Sequence, residues 1–249
     1  MTGLPYKKLK NKFYTLVIRT IPTKKVQKMH YKMTPVEYFR KLIELYFNSR
    51  EPKYYNPNIF RGRSTSISSE LEDLTALFIA LNNPNPCNYF TDQPLKFQGS
   101  KTKYPDIVIQ HENKFIYDLV DMKADTGWNR DGMLKFCEEW EQYIESVKGK
   151  ETQFLNGKTK ERHDGEFSKN LKYHVVVATE VNSGKKILED YELVKEKCTN
   201  VELYILSKGV HPNSYTLSQG EVLKKISINN TEFDRLMNAI IKPDTHPFF

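Results

Sequence analysis

Residues 104–123 read YPDIVIQHENKFIYDLVDMK, and the folding of this stretch decides the rest of the chain. Tyr104 to Gln110 reads as one strand, His111 to Lys114 as a polar turn, and Phe115 to Lys123 as the return strand. A hairpin centred between Glu112 and Asn113 sets Asp106 opposite Leu119. Side chains alternate faces along a strand, so Leu119, Asp121 and Lys123 share one face and Asp106 joins it. Asp121 and Lys123 then stand roughly 6.5 Å apart along the strand, with Asp106 diagonal to Asp121. A slip of one residue would send Asp106 to the other face.

The rest of that face (Val108, Phe115, Tyr117, Leu119) suits a core. Two carboxylates at the end of such a face repel each other unless a proton or a cation intervenes. A hard divalent ion with oxygen ligands resolves that cost, and magnesium is typically held by one or two carboxylates plus a substrate phosphate.

Upstream, Ser68 to about Leu81 reads as a helix that Asn82-Asn83-Pro84-Asn85-Pro86 stops. Glu70 lies near its start. Leu74, Leu77 and Leu81 follow at helical spacing on the same face, so Glu70 is expected to point toward the core side as a third carboxylate. Glu72, and Asp73 in part, are expected to be solvated. An earlier helix starts at Thr34-Pro35-Val36-Glu37, with Thr34 as cap and Glu37 completing a capping box, and runs to about Asn48.

Downstream, Met133 to Lys148 reads as a helix with Phe136, Trp140, Tyr143 and Val147 along one face. Residues 149–170 read as an exposed loop or lid, Tyr173 to Thr179 as a buried strand, and Ser183 to Lys197 as containing a crossing helix. Val201 to Leu206 reads as a strand and Asn230 to about Ile241 as a last helix. The apolar run Phe13 to Ile18 suits a peripheral strand or arm among lysines. The implied fold is α/β, a mixed central sheet flanked by helices with peripheral N- and C-terminal elements. A single domain over 1–249 is expected.

Other chemistries fit worse. The six histidines show no paired metal spacing, no glycine-rich phosphate loop is present, and no nucleophile elbow is recognisable. Cys87, Cys137 and Cys198 are odd in number and widely spaced, against a disulfide framework, and Cys137 reads as core. No stretch approaches the roughly 20 apolar residues of a membrane span, so a cytoplasmic protein is expected. Lysine and arginine number 38 against 31 acidic residues, a net charge of +7, which suits a phosphate-bearing partner or a plain soluble protein.

The sequence of Glu70, Pro105-Asp106, Asp121-Met122-Lys123, a helix and the strand Tyr173 to Thr179 resembles the PD-(D/E)XK nuclease superfamily, best known from type II restriction endonucleases. The resemblance covers about residues 64–180, with a core to about 206. Fourteen residues separate the two aspartates, as a hairpin requires. Glu112-Asn113-Lys114, Glu51-Pro52-Lys53 and Pro243-Asp244 have parts of the motif without its context. The resemblance implies that Asp106 and Asp121 bind Mg2+, that Glu70 supports the metal or its water, and that Lys123 orients or activates the attacking water. It implies cleavage of double-stranded DNA to 5′-phosphate and 3′-hydroxyl ends by a homodimer. A repair or junction-resolving nuclease, or a nucleic-acid-binding module without chemistry, are the alternatives. Arg61, Arg63, Lys101, Lys103, Asn129 and Arg130 flank the catalytic elements and suit DNA contact or simple solvation. Tyr54, Tyr55 and Tyr89 suit sugar contact or core.

Overall fold

Val175, Val176 and Val177 are consecutive, β-branched and all buried, which marks a strand covered on both faces. They end β5 (Arg162–Val177), the backbone of a six-stranded sheet. The computed structural model describes residues 31–241 apart from residues 55, 96–101, 113 and 128–131. Contacts divide the chain at Tyr31, and every described residue belongs to the unit Tyr31–Phe249. The run Phe13 to Ile18, Tyr55, Lys101, Asn129 and Arg130 lie outside the described residues.

Three strands form an antiparallel meander: β1 (Cys87–Thr91), β2 (Ile107–His111) and β3 (Phe115–Lys123). β3 pairs parallel with β5, which pairs parallel with β6 (Val201–Ile205) and antiparallel with β4 (Glu151–Leu155). The sheet is therefore mixed. Helices cover both faces. One face packs Ile107, Ile109, Val120, Met122 and Val176 under α1 (Pro35–Asn48), α2 (Ser68–Asn82) and α6 (Asn230–Ile241). The other packs Val108, Leu119, Tyr173, Val175 and Val177 under α3 (Met133–Val147) and α4 (Ile187–Lys197). A short α5 (Gln219–Lys225) and the two-residue strands β7 (Ser207–Lys208) and β8 (Ser227–Ile228) complete the chain. The fold is α/β, with a mixed central sheet flanked by helices.

Local chemistry explains the boundaries. Thr34 accepts a hydrogen bond from the Glu37 amide, and Glu37 returns one from the Thr34 amide, so the expected capping box starts α1. The buried stripe of α3 is Met133, Cys137, Trp140, Ile144 and Val147, with Phe136 and Tyr143 half-buried beside it. The expected loop at 149–170 is instead β4 and the first part of β5. Thr152 and Phe154 are buried between exposed Glu151, Gln153 and Leu155, so β4 is a strand whose alternation is masked by polar residues.

The β2–β3 hairpin differs from the expected register by two residues. Val108, not Asp106, pairs with Leu119, and Ile107 pairs with Val120. The turn sits further along: the Lys114 amide donates to His111 O at 2.9 Å, with Lys114 at φ 69°, and a bulge follows Ile109. An even shift preserves the face, so Asp106 stays on the side of Asp121 and moves from a diagonal to a directly facing position. The ladder is also irregular at Tyr117, and Ile116 rather than Tyr117 joins Leu119 in the core on that side.

Candidate active site

β3 ends in Asp121-Met122-Lys123, with alternating faces: Met122 enters the core beneath α1 and α2, while Asp121 and Lys123 face the α3 side. The Lys123 ammonium lies 2.6 Å from Asp121 Oδ2, 3.9 Å from Asp106 Oδ2 and 5.8 Å from the centre of the Phe136 ring. Asp106 precedes β2 and is fixed by its own backbone. Its Oδ2 accepts the Met122 amide at 2.6 Å, and its carbonyl accepts the Asp92 amide at 2.9 Å. One ammonium thus lies between two carboxylates, one on β3 and one at the residue that leads into β2, on the shared face that the alternation argument expects.

The charges are not balanced. Burial, then the Asp121 carboxylate, push the Asp106 carboxyl up to about 6, although Lys123 and the Met122 amide pull it down. Asp121 is buried, and its Oδ2 has the ammonium beside it but no aligned hydrogen-bond donor. The Tyr173 hydroxyl, also buried and without an aligned partner, lies close enough to feel Asp121 and Asp106. Burial first, and those carboxylates next, raise its ionisation well above the ordinary value. Trp140 stacks on the Tyr173 ring at 3.9 Å and 16°, which fixes it.

The glutamate of α2 that interacts with Asp106 is Glu72, and Glu70 does not point to the core side as expected. Glu70 is exposed and accepts the neighbouring Ser69 hydroxyl at 3.0 Å. Leu77, on the same side, is 44% exposed. The buried side of α2 is Leu71, Leu74, Thr75, Phe78 and Ile79. Glu72 is half-buried instead, and burial followed by Asp106, Asp92 and Asp73 pushes its carboxyl up to about 7, with Lys123 opposing. From Leu74 to Leu81 α2 is apolar nearly all round, so spacing alone could not tell which side meets the sheet. Asp92 enters the same field because the chain turns there with φ 48°, in the left-handed region that aspartate tolerates. Asp73 accepts the Thr91 hydroxyl at 3.0 Å.

Beyond Lys123, Asp125 accepts a hydrogen bond from His211 Nε2 at 3.0 Å. The Asn213 amide donates to His211 Nδ1 at 2.9 Å, so the ring proton sits on Nε2. Burial raises the Asp125 carboxyl, but the His211, Gly127 and Asn182 hydrogen bonds outweigh it and hold the carboxyl below its usual range. His211, expected only to occupy a turn, therefore braces the loop that follows β3.

The other sequence candidates divide. Lys103 is half-buried with its ammonium 5.1 Å from the Trp140 ring centre and 5.2 Å from that of Tyr143, so it is packed over aromatics. Arg61 and Arg63 are exposed, as is Tyr54. Tyr89 is half-buried and its hydroxyl accepts from Asn83 at 3.1 Å.

The donor set suits a hard cation. It consists of carboxylate oxygens, one of them buried without an aligned donor, and two carboxyls in the group are raised toward neutrality by burial first and by neighbouring carboxylates next. Among the described residues no three His, Cys, Asp or Glu side chains stand close enough to enclose a metal on their own. Two carboxylates that leave positions for water and phosphate match how magnesium is usually held. No family model, curated protein or solved structure matches the chain. Among the described residues, no helix is long and apolar enough to cross a membrane.

Proposed function

We propose that the protein is a Mg2+-dependent endonuclease of the PD-(D/E)XK type that hydrolyses phosphodiesters of double-stranded DNA, acting as a homodimer on specific sites. The observation that carries this reading is the meeting of Asp106, Asp121 and Lys123 at the end of β3, with the Asp106 carboxyl raised by burial and by the Asp121 carboxylate. Asp106 and Asp121 would hold the cation, which when bound supplies charge stabilisation to the phosphate and lowers the pKa of a water. Lys123 keeps an ammonium beside Asp121, where it aligns the attacking water and offsets charge on the phosphate oxygens. Glu72, whose carboxyl titrates near neutrality, replaces Glu70 as the helical acid and is suited to exchange a proton with that water.

The test is a plasmid digest with Mg2+ and with a chelator. Discrete fragments that vanish with chelator, and with Asp121→Asn or Lys123→Ala, are expected. Structure-dependent nicking would favour the repair role, and retardation without cutting would favour a binding module. Full cutting by either variant overturns the assignment.

A further inference from the structure

The loop between α1 and α2 exposes aromatic and apolar side chains that no core claims. Phe60 is 88% exposed, Tyr54 76% and Ile59 51%, whereas most other large apolar side chains among the described residues are buried. Arg61 and Arg63 follow Phe60 directly, both exposed and in no ion pair among the described residues. Pro52, Ile59, Phe60, Arg61, Gly62 and Arg63 line a shallow open groove.

The base of this loop is firmly held. Its neck closes where the Thr65 amide donates to Ser49 O at 2.9 Å. Ser64 donates its amide to the Tyr215 hydroxyl at 2.9 Å, and its Oγ accepts Asn213 Nδ2 at 3.0 Å. Arg50 donates to Asn213 Oδ1 and to Ser214 O, both at 2.9 Å from its terminal nitrogen, and lies 3.8 Å from the Phe47 ring centre. Asn213 leads through His211 to Asp125, two residues beyond Lys123. A continuous chain of hydrogen bonds therefore roots the loop at the end of the sheet where the carboxylates gather.

We propose that the tip Phe60-Arg61-Gly62-Arg63 is a duplex-DNA contact in which Phe60 wedges against a base step while Arg61 and Arg63 neutralise the flanking phosphates. Apolar wedges flanked by arginine are how proteins pay for local unstacking and recover it in backbone contacts. Two free guanidiniums complement phosphate. Against a second copy of this chain, a two-fold contact centred here would bring two positively charged tips together. The inference rests on the nuclease reading for its partner and adds the residue that touches bases.

The experiment is fluorescence anisotropy of a labelled duplex with the full chain in chelator, where no cutting occurs, over a series of salt concentrations. Phe60→Ala is expected to weaken binding about tenfold or more with the salt slope unchanged. Arg61→Ala is expected to lower the slope by about 1. Phe60→Trp should bind like the natural chain, with its added tryptophan emission quenched by DNA. If the natural chain binds no duplex, the nuclease reading and this inference fail together. If it binds and Phe60→Ala binds equally, this inference alone fails. A shift from dimer to monomer in Phe60→Ala, seen by light scattering, would make the loop a subunit contact and overturn it as well.

Discussion

Asp106 shows at one residue how gathering buried carboxylates costs stability. Its carboxyl lies near 6 in the fold against an ordinary 3.8, and that of Glu72 near 7 against 4.5. In both cases the folded state holds a proton that the unfolded chain has released. Stability from these groups is therefore highest below about pH 4 and falls as pH rises through about 6 to 7. Metal-free Asp106→Asn should be more stable than the natural chain near pH 8, by on the order of 1–3 kcal/mol, and melt higher, with the gain fading near pH 4. Calorimetry in chelator at the two pH values checks this; a lower melting point near pH 8 would show that Asp106 is stabilising as a charge. The same scale separates the two helical acids. Glu72→Gln should lower cleavage by about 100-fold or more, whereas Glu70→Gln, changing an exposed side chain, should stay within about twofold. Equal losses in initial rate would return Glu70 to the site.

At the scale of elements, legibility followed the strength of periodic signals. β3 and α6 begin and end where the alternation and the 3.6-residue stripe place them, and the capping box fixes the start of α1. The grouping of Asp106, Asp121 and Lys123 was legible because it depends only on parity, which a two-residue register shift leaves intact. The choice between Glu70 and Glu72 was not, since it depends on how α2 rolls against the sheet. β4 was hidden because Glu151, Gln153 and buried Thr152 read as loop residues until β5 supplies their partner. The bracing role of His211 needs the fold, because Asp125 lies far away in sequence. Contacts between elements also carry stability that no local pattern predicts. Glu141 on α3 accepts the amides of Asn200 and Val201, at 2.8 and 2.9 Å, and also the side chains of Thr199 and Asn200. It thereby clamps the entry of β6 to α3. Glu141→Ala strips a charged acceptor from two amides at once and should cost about 2–4 kcal/mol. Urea unfolding measures it, and a loss below about 0.5 kcal/mol would mean that water replaces the clamp.

Across the whole molecule, the two faces of the sheet divide labour. Asp121 and Lys123 face the α3 side, whereas a buried polar chain sits among the strands and the last helix. Asp118 on β3 accepts from His174 Nε2 on β5 at 2.9 Å, and His174 Nδ1 meets the Tyr204 hydroxyl on β6 at 3.0 Å. Tyr204 donates to Glu202 at 2.9 Å, and Arg235 on α6 joins Glu202 to Glu232 while its guanidinium covers the Tyr204 ring at 3.9 Å. His174 and Asp118 are both buried, so neither can exchange its partner for water. Cutting the chain at one point leaves a buried polar group unpaired, which is costlier than removing both partners together. Asp118→Leu should therefore lose about 3–5 kcal/mol, and Asp118→Leu with His174→Leu should recover part of that loss. Because the chain has no member among Asp106, Asp121, Lys123 and Glu72, the double variant should cut DNA at the natural rate per folded molecule. Urea unfolding and digestion of the same preparations distinguish the outcomes. If cleavage fell much further than the folded fraction, the polar chain would be coupled to the carboxylate pair, and the separation of the two faces would be wrong.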